Sequence, residues 1–215
     1  LSIKPTHLGL DLSFDTAIKN FGIIINKAKE SSNFLRLDME SSAHTDNTFR
    51  IYDYCKNQYA EVGVVFQAYL KRSIEDMGRL ARPGFNARIC KGIYKEKLNI
   101  AYHDPDEIRN NYLSLVKIMI QKSAYACYAT HDQYLIDRII EVIKNQKLSN
   151  DQFEFQVLYG VPMNGRLEEL FHSGYKVRVY VPFGSEWYEY SLRRLKENPD
   201  IAGYVIKNIF SKNSY

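Results

Sequence analysis

The chain has 215 residues, of which 45% are hydrophobic and 25% charged, the make-up of a globular protein with room for one sizeable core. Its 29 basic and 25 acidic residues leave a net charge of +4 with both signs interspersed. That dispersal argues against nucleic acid as a main partner and leaves only a weak attraction to anionic membrane surfaces.

In chain order, residues 1–4 read as an apolar strand already under way at Leu1, with no signal-peptide pattern. Residues 16–28 follow as a helix, with Ile18, Phe21, Ile24 and Ile25 recurring at helical spacing. Strands are expected at 34–39, 62–68 and 86–90. A second apolar face, Ile108, Tyr112, Leu115, Val116 and Met119, marks a helix over 107–122, with Asp104 or Asp106 as its N-cap and Pro105 early in it. A strand at 124–129 leads to Asp132, the expected cap of a helix over 133–145. Then come a strand at 153–158, a helix over 165–173 and a strand at 177–181 that runs into Pro182, Phe183 and Gly184. A last helical pattern opens at Ser191. Cys55, Cys90 and Cys127 lack C-x-x-C spacing and read as small core residues; an odd count of thiols suits a reducing compartment. The 17 Tyr and 11 Phe fall mostly on strand and helix positions, so core packing is their default role.

Strands alternating with helices leave two α/β architectures, a doubly wound sheet or a (β/α)8 barrel. No G-x-G-x-x-G or Walker loop follows the first strand. Polar residues instead gather at the ends of nearly every strand: Lys4, Asp38, Gln67, Arg88, Thr130 with His131, Gln156 and Tyr180. A barrel mouth needs that distribution, whereas a doubly wound sheet concentrates its site at one crevice. The expected fold is therefore a TIM-like (β/α)8 barrel, a single catalytic domain over 1–215. With seven units visible, the first strand-helix unit is expected to precede Leu1, because a barrel short of a strand leaves two open edges.

Arg193 and Arg194 stand side by side near the start of the last helix, with Glu197 one turn on. Adjacent guanidinia repel unless an anion lies between them, and each offers a planar fork matched to a carboxylate. The pair points to capture of a small acid. The five His show no metal-binding spacing, so no metal is expected.

Six stretches share one family's order and spacing: Phe34-Leu-Arg-Leu-Asp-Met-Glu40, Gly63-Val-Val-Phe-Gln-Ala-Tyr69, Arg88-Ile-Cys-Lys-Gly-Ile-Tyr94, Ala129-Thr-His-Asp132, Phe153-Glu-Phe-Gln-Val-Leu-Tyr-Gly160, and the block from Arg178 to Glu197. Over essentially the whole chain the sequence resembles proline dehydrogenase. The resemblance implies FAD-dependent oxidation of L-proline to Δ1-pyrroline-5-carboxylate on a distorted barrel, with electrons passed to a membrane quinone. It further implies a cytoplasmic protein held peripherally at the inner face of the membrane, and a separate pyrroline-5-carboxylate dehydrogenase to consume the product.

By the same resemblance Lys4, Arg193 and Arg194 clamp the proline carboxylate, and Tyr94, Leu158 and Tyr180 wall the ring. A large ring at Tyr180 leaves little room for a substrate hydroxyl, so proline is preferred over hydroxyproline. FAD falls to Gln67, Arg88, Lys91, Gly92, Thr130, His131, Gln156 and Glu197. Asp38, at a strand end in apolar surroundings, is expected to accept hydrogen bonds from a neighbouring Tyr or Lys and to order the site. Two positions depart from the pattern. Ile93 replaces a small residue beside the substrate, and Asp132 stands where the family sometimes has asparagine. The rival readings are a flavin barrel for another cyclic secondary amine and a catalytically inactive barrel serving as an interaction module.

Overall fold

The computed structural model describes residues 1–182 and 184; Arg193, Arg194 and Glu197 lie outside the described residues. The chain divides into two compact units, Leu1–Glu154 and the part from Phe155 onward.

The first unit is a parallel sheet laid down in chain order. β1 (Ser2–Ile3), β2 (Leu35–Leu37), β3 (Val62–Gln67), β4 (Asn86–Cys90) and β5 (Tyr125–Ala129) each pair in parallel with the next. Next to β5 comes β6 (Phe153–Leu158), and Ala126 N–H donates to the O of Gln152, the residue just before that strand. Every residue of β2 and β3 is buried, as expected of parallel strands covered on both faces.

Helices supply the outer cover. α1 (Phe14–Glu30) buries Ala17, Phe21, Ile25 and Ala28 and is capped by the Ser13 hydroxyl, which accepts from Thr16 N–H. α2 (Thr45–Gln58) and α3 (Ser73–Leu80) follow β2 and β3. α4 (Pro105–Gln121) starts at Asp104, whose carboxylate accepts from Asp106 and Glu107 N–H, with Pro105 at the first helical position. α5 (Gln133–Gln146) is capped by Asp132 through Leu135 N–H. An edge-on aromatic cluster links α2 to the sheet region: the Tyr52 and Phe85 rings lie 5.6 Å apart, and Phe85 and Phe66 lie 6.2 Å apart. Such pairs add about 1 kcal/mol beyond the area they bury.

The opposite sheet face is polar at its centre. Arg36 of β2 lies across it, 5% exposed, donating to Val64 O at 3.1 Å, Asn86 Oδ1 at 2.6 Å and Cys127 Sγ at 3.3 Å. Gly63 makes room for it: a Cβ there would meet Asn86 O at 2.8 Å and Arg36 Nη1 at 2.9 Å. Burial lowers the Arg36 pKa, and its three acceptors satisfy the cation that remains.

In the second unit β6 pairs in parallel with β7 (Val177–Tyr180), in the register Phe155–Val177, Gln156–Arg178, Val157–Val179 and Leu158–Tyr180. α6 (Arg166–His172) lies between them in the chain.

All seven expected strands are present, trimmed by up to three residues. The four expected helices match within two residues at each end. The sequence reading did not specify α2 and α3. α2 buries Thr45 and Thr48 beside its apolar residues, and α3 is eight residues long with Ser73 and Asp76 buried. Both blur the apolar stripe that marks a helix.

Candidate functional site

The parallel register brings the ends of β1 to β5 to one edge of the first unit, where most of the expected residues lie. Ser2 Oγ donates to Asp38 Oδ1 at 3.2 Å, while Arg88 gives Nη1 to the same oxygen at 2.8 Å and Nη2 to Ser2 Oγ at 3.1 Å. Asp38 and Arg88 are 14% and 13% exposed at their side chains. The partners of Asp38 are thus Arg88 and Ser2, not the Tyr or Lys expected from sequence. The correction follows from geometry: the Arg88 fork, across β3, reaches both groups at once.

Gln67, at the end of β3, is 2% exposed. Its Nε2 donates to Met39 O at 2.9 Å and Glu40 O at 3.1 Å. Both amide hydrogens are therefore engaged by carbonyls, which fixes the orientation of the group and leaves Oε1 buried without a partner among the described residues.

Beyond β4 the chain reads Lys91-Gly92-Ile93-Tyr94. Lys91 Nζ donates to Asp132 Oδ2 at 2.5 Å, and Arg109 Nε of α4 donates to the same oxygen at 2.8 Å. Burial pushes the Asp132 carboxyl up, but those two cations outweigh it and hold it at about 2. Asp132 N–H donates to Thr130 Oγ1 at 3.1 Å, so Thr130, the half-buried His131 and Asp132 form one turn after β5. Asp132 caps its helix as expected and also anchors the lysine of the K-G-x-Y stretch.

Gly92 has φ +105, and a Cβ there would overlap the Tyr69 ring. The close approach expected toward a ligand is, in the fold, an approach to Tyr69. Tyr94 packs half-buried on the cluster of Tyr69, Leu70 and Ala101, while Ile93 is 50% exposed. Lys4 follows β1 directly and opens a 3-10 turn at Pro5–Leu8; it is half-buried, and no carboxylate of the described residues pairs with its ammonium. In the second unit Gln156 is 3% exposed, and the half-buried Leu158 and Tyr180 sit opposite one another in register, with Tyr159 N–H donating to Tyr180 O.

The first unit thus gathers Lys4, Asp38, Gln67, Arg88, Lys91, Gly92, Tyr94, Thr130 and His131 from five successive strand ends, and the second carries Gln156, Leu158 and Tyr180. Sequence reasoning missed Ser2, Arg109 and Glu40. Ser2 and Arg109 carried no motif of their own, and Glu40 was visible only as the last residue of a matching stretch. Among the described residues no group of three His, Cys, Asp or Glu is placed to hold a metal ion, and no helix is long and apolar enough to cross a membrane.

A family model described as proline dehydrogenase matches residues 2–207. The chain is 37% identical over 212 residues to proline dehydrogenase 1 of Bacillus subtilis (strain 168), covering 99% of this chain and 70% of that protein. It is 36% identical over 214 residues to proline dehydrogenase of Deinococcus radiodurans, covering 97% and 69%. In three dimensions it is similar to the crystal structure of proline utilization A from Bdellovibrio bacteriovorus inactivated by N-propargylglycine, with a TM-score of 0.77 and 23% identity. That likeness covers 86% of this chain but 22% of the larger one, and it bears on fold alone. A polar edge assembled from successive parallel strand ends, a matching family model and relatives alike over nearly their full overlap lead to one conclusion: the chain belongs to the proline dehydrogenase family, whose members are oxidoreductases.

Proposed function

We propose that the protein oxidises L-proline to Δ1-pyrroline-5-carboxylate with FAD as its cofactor, on a (β/α)8 barrel that forms a single catalytic domain. The observation that carries this reading is the set Gln67, Arg88 and Lys91. Gln67 Oε1 is a buried acceptor without a partner among the described residues, suited to an imide N–H such as that of a flavin ring. Arg88 and Lys91 are cations held in place by Asp38 and Asp132, suited to the negative charge of a reduced flavin and of a phosphate. The residues present therefore fit the cofactor. Gln67, Arg88, Lys91, Gly92, Thr130, His131, Gln156 and Glu197 would hold it.

When bound, FAD supplies the acceptor for the hydride that leaves the ring carbon beside nitrogen, and its electrons go on to a membrane quinone. The protein's own part is binding and orientation. Lys4, Arg193 and Arg194 clamp the carboxylate, and Tyr94, Leu158 and Tyr180 enclose the ring. Fixing the substrate in a near-attack arrangement lowers the barrier by removing the entropy cost of bringing the reacting groups together. Asp38 orients Arg88, and the amine proton leaves to water. Peripheral attachment to the inner face of the membrane and a separate pyrroline-5-carboxylate dehydrogenase complete the reading.

Comparison of kcat/KM for L-proline and hydroxyproline tests it. An apolar wall at Tyr180 predicts a preference for proline of about ten- to a hundredfold. Equal values contradict the assignment of Tyr180, and no turnover of either contradicts the reading as a whole.

A further inference from the structure

We infer that Glu40 is a positioning residue for Lys4, acting through the turn that carries it; the inference rests on the proposed role of Lys4 in holding the substrate carboxylate. Glu40 lies three residues past β2 and is 6% exposed. Both of its carboxylate oxygens go to one residue: Thr6 N–H donates to Oε2 at 2.9 Å and Thr6 Oγ1 to Oε1 at 2.8 Å. Thr6 sits inside the Pro5–Leu8 turn, two residues after Lys4, and the turn is closed by His7 N–H donating to Lys4 O at 3.1 Å.

A buried carboxylate is costly to desolvate, and it is ordinarily paired with a cation. Among the described residues none lies within ion-pairing distance of Glu40. Within the described residues its carboxylate holds the backbone and hydroxyl of Thr6. Lys4, half-buried and with no carboxylate partner among the described residues, thereby has its main chain fixed from the next strand. Glu40 also serves the neighbouring strand, but through a different group: its main-chain carbonyl accepts from Gln67 Nε2 at 3.1 Å. Substitution of the side chain therefore separates the two contacts. It releases the Lys4 turn and leaves the Gln67 amide held.

The test compares the full chain loaded with FAD as wild type, Glu40→Ala, Glu40→Gln, Lys4→Met and the double variant Glu40→Ala/Lys4→Met. Measured are kcat, KM for L-proline and the flavin dissociation constant. Glu40→Ala is expected to raise KM about tenfold while kcat and flavin affinity stay within about twofold. Glu40→Gln, which still accepts from Thr6 N–H, should recover most of that loss. The double variant should have the KM of Lys4→Met alone, because Glu40 acts through Lys4.

A raised KM in Lys4→Met beside an unchanged KM in Glu40→Ala overturns the inference and leaves the reading of Lys4 standing. Multiplying effects in the double variant, or a fall in flavin affinity that accompanies the rise in KM, also overturn it. An unchanged KM in Lys4→Met overturns the reading of Lys4 and the inference with it. Should Glu40→Ala fail to fold, Thr6→Val removes only the hydroxyl donor, and a rise in KM of about threefold is expected from it, with no rise overturning the inference.

Discussion

Arg88 and Asp38, fifty positions apart in the chain, meet at 2.8 Å across the intervening strand β3, and Ser2 of β1 closes the triangle. Three strands, β1, β2 and β4, are thus tied across β3 by one guanidinium and one carboxylate. The pair is mostly withdrawn from solvent, so the contact is shielded little by water.

Asp38→Ala should therefore destabilise the protein by about 2–3 kcal/mol, because it removes a charged hydrogen-bond acceptor from a largely buried guanidinium. Asp38→Asn, which keeps an acceptor for Arg88, should cost roughly half as much. Urea unfolding midpoints at constant slope measure both.

Asp132 predicts a pH dependence. Its folded pKa lies at about 2, below the ordinary 3.8, because the hydrogen bonds and charges of Arg109 and Lys91 outweigh the opposing effect of burial. A depressed carboxylate stabilises the fold above its unfolded pKa and loses that contribution as pH falls through the folded one. The stability difference between wild type and Asp132→Asn should be full above about pH 4 and should close as pH falls toward about 2. A difference that is constant over that range contradicts the assignment.

Gly92 cannot be replaced cheaply. Its φ of +105 disfavours any side chain, and a Cβ would also strike the Tyr69 ring. Gly92→Ala should cost at least about 2 kcal/mol, combining backbone strain with overpacking. In Gly92→Ala/Tyr69→Ala the clash is gone but the backbone strain remains, so the double variant should be less stable than Tyr69→Ala alone.

The three thiols should differ in reactivity. Burial pushes Cys55 and Cys127 up to about 12, whereas Cys90 is half-buried. Thiol labelling of the native protein at mildly alkaline pH, counted by intact mass, should modify Cys90 first and spare the other two until the chain unfolds.

Much of this was legible in the sequence because the strands are short, buried and bounded by turn residues. The alternation from Phe153 to Leu158 and from Val177 to Tyr180 gave those strands nearly to the residue. Asp132, and the choice between Asp104 and Asp106 that the fold resolves to Asp104, announced their helices because a carboxylate just before an apolar periodicity has one good use, accepting from the first turn. The polar residues at strand ends could be listed for the same reason. Their partners could not, because pairing across a strand depends on register. Arg88 with Asp38, Lys91 with Asp132 and Glu40 with Thr6 join residues at least 34 positions apart. α2 went unspecified because Thr45 and Thr48 are buried where the pattern looks for apolar side chains.

The most direct test is anaerobic absorbance of the FAD-loaded protein during titration with L-proline. Bleaching of the oxidised flavin band by proline, with little effect of hydroxyproline, is the result that the proposed substrate, cofactor and ring-enclosing Tyr180 require. A bound flavin that stays oxidised at saturating proline, or a protein that takes up no flavin, would contradict it.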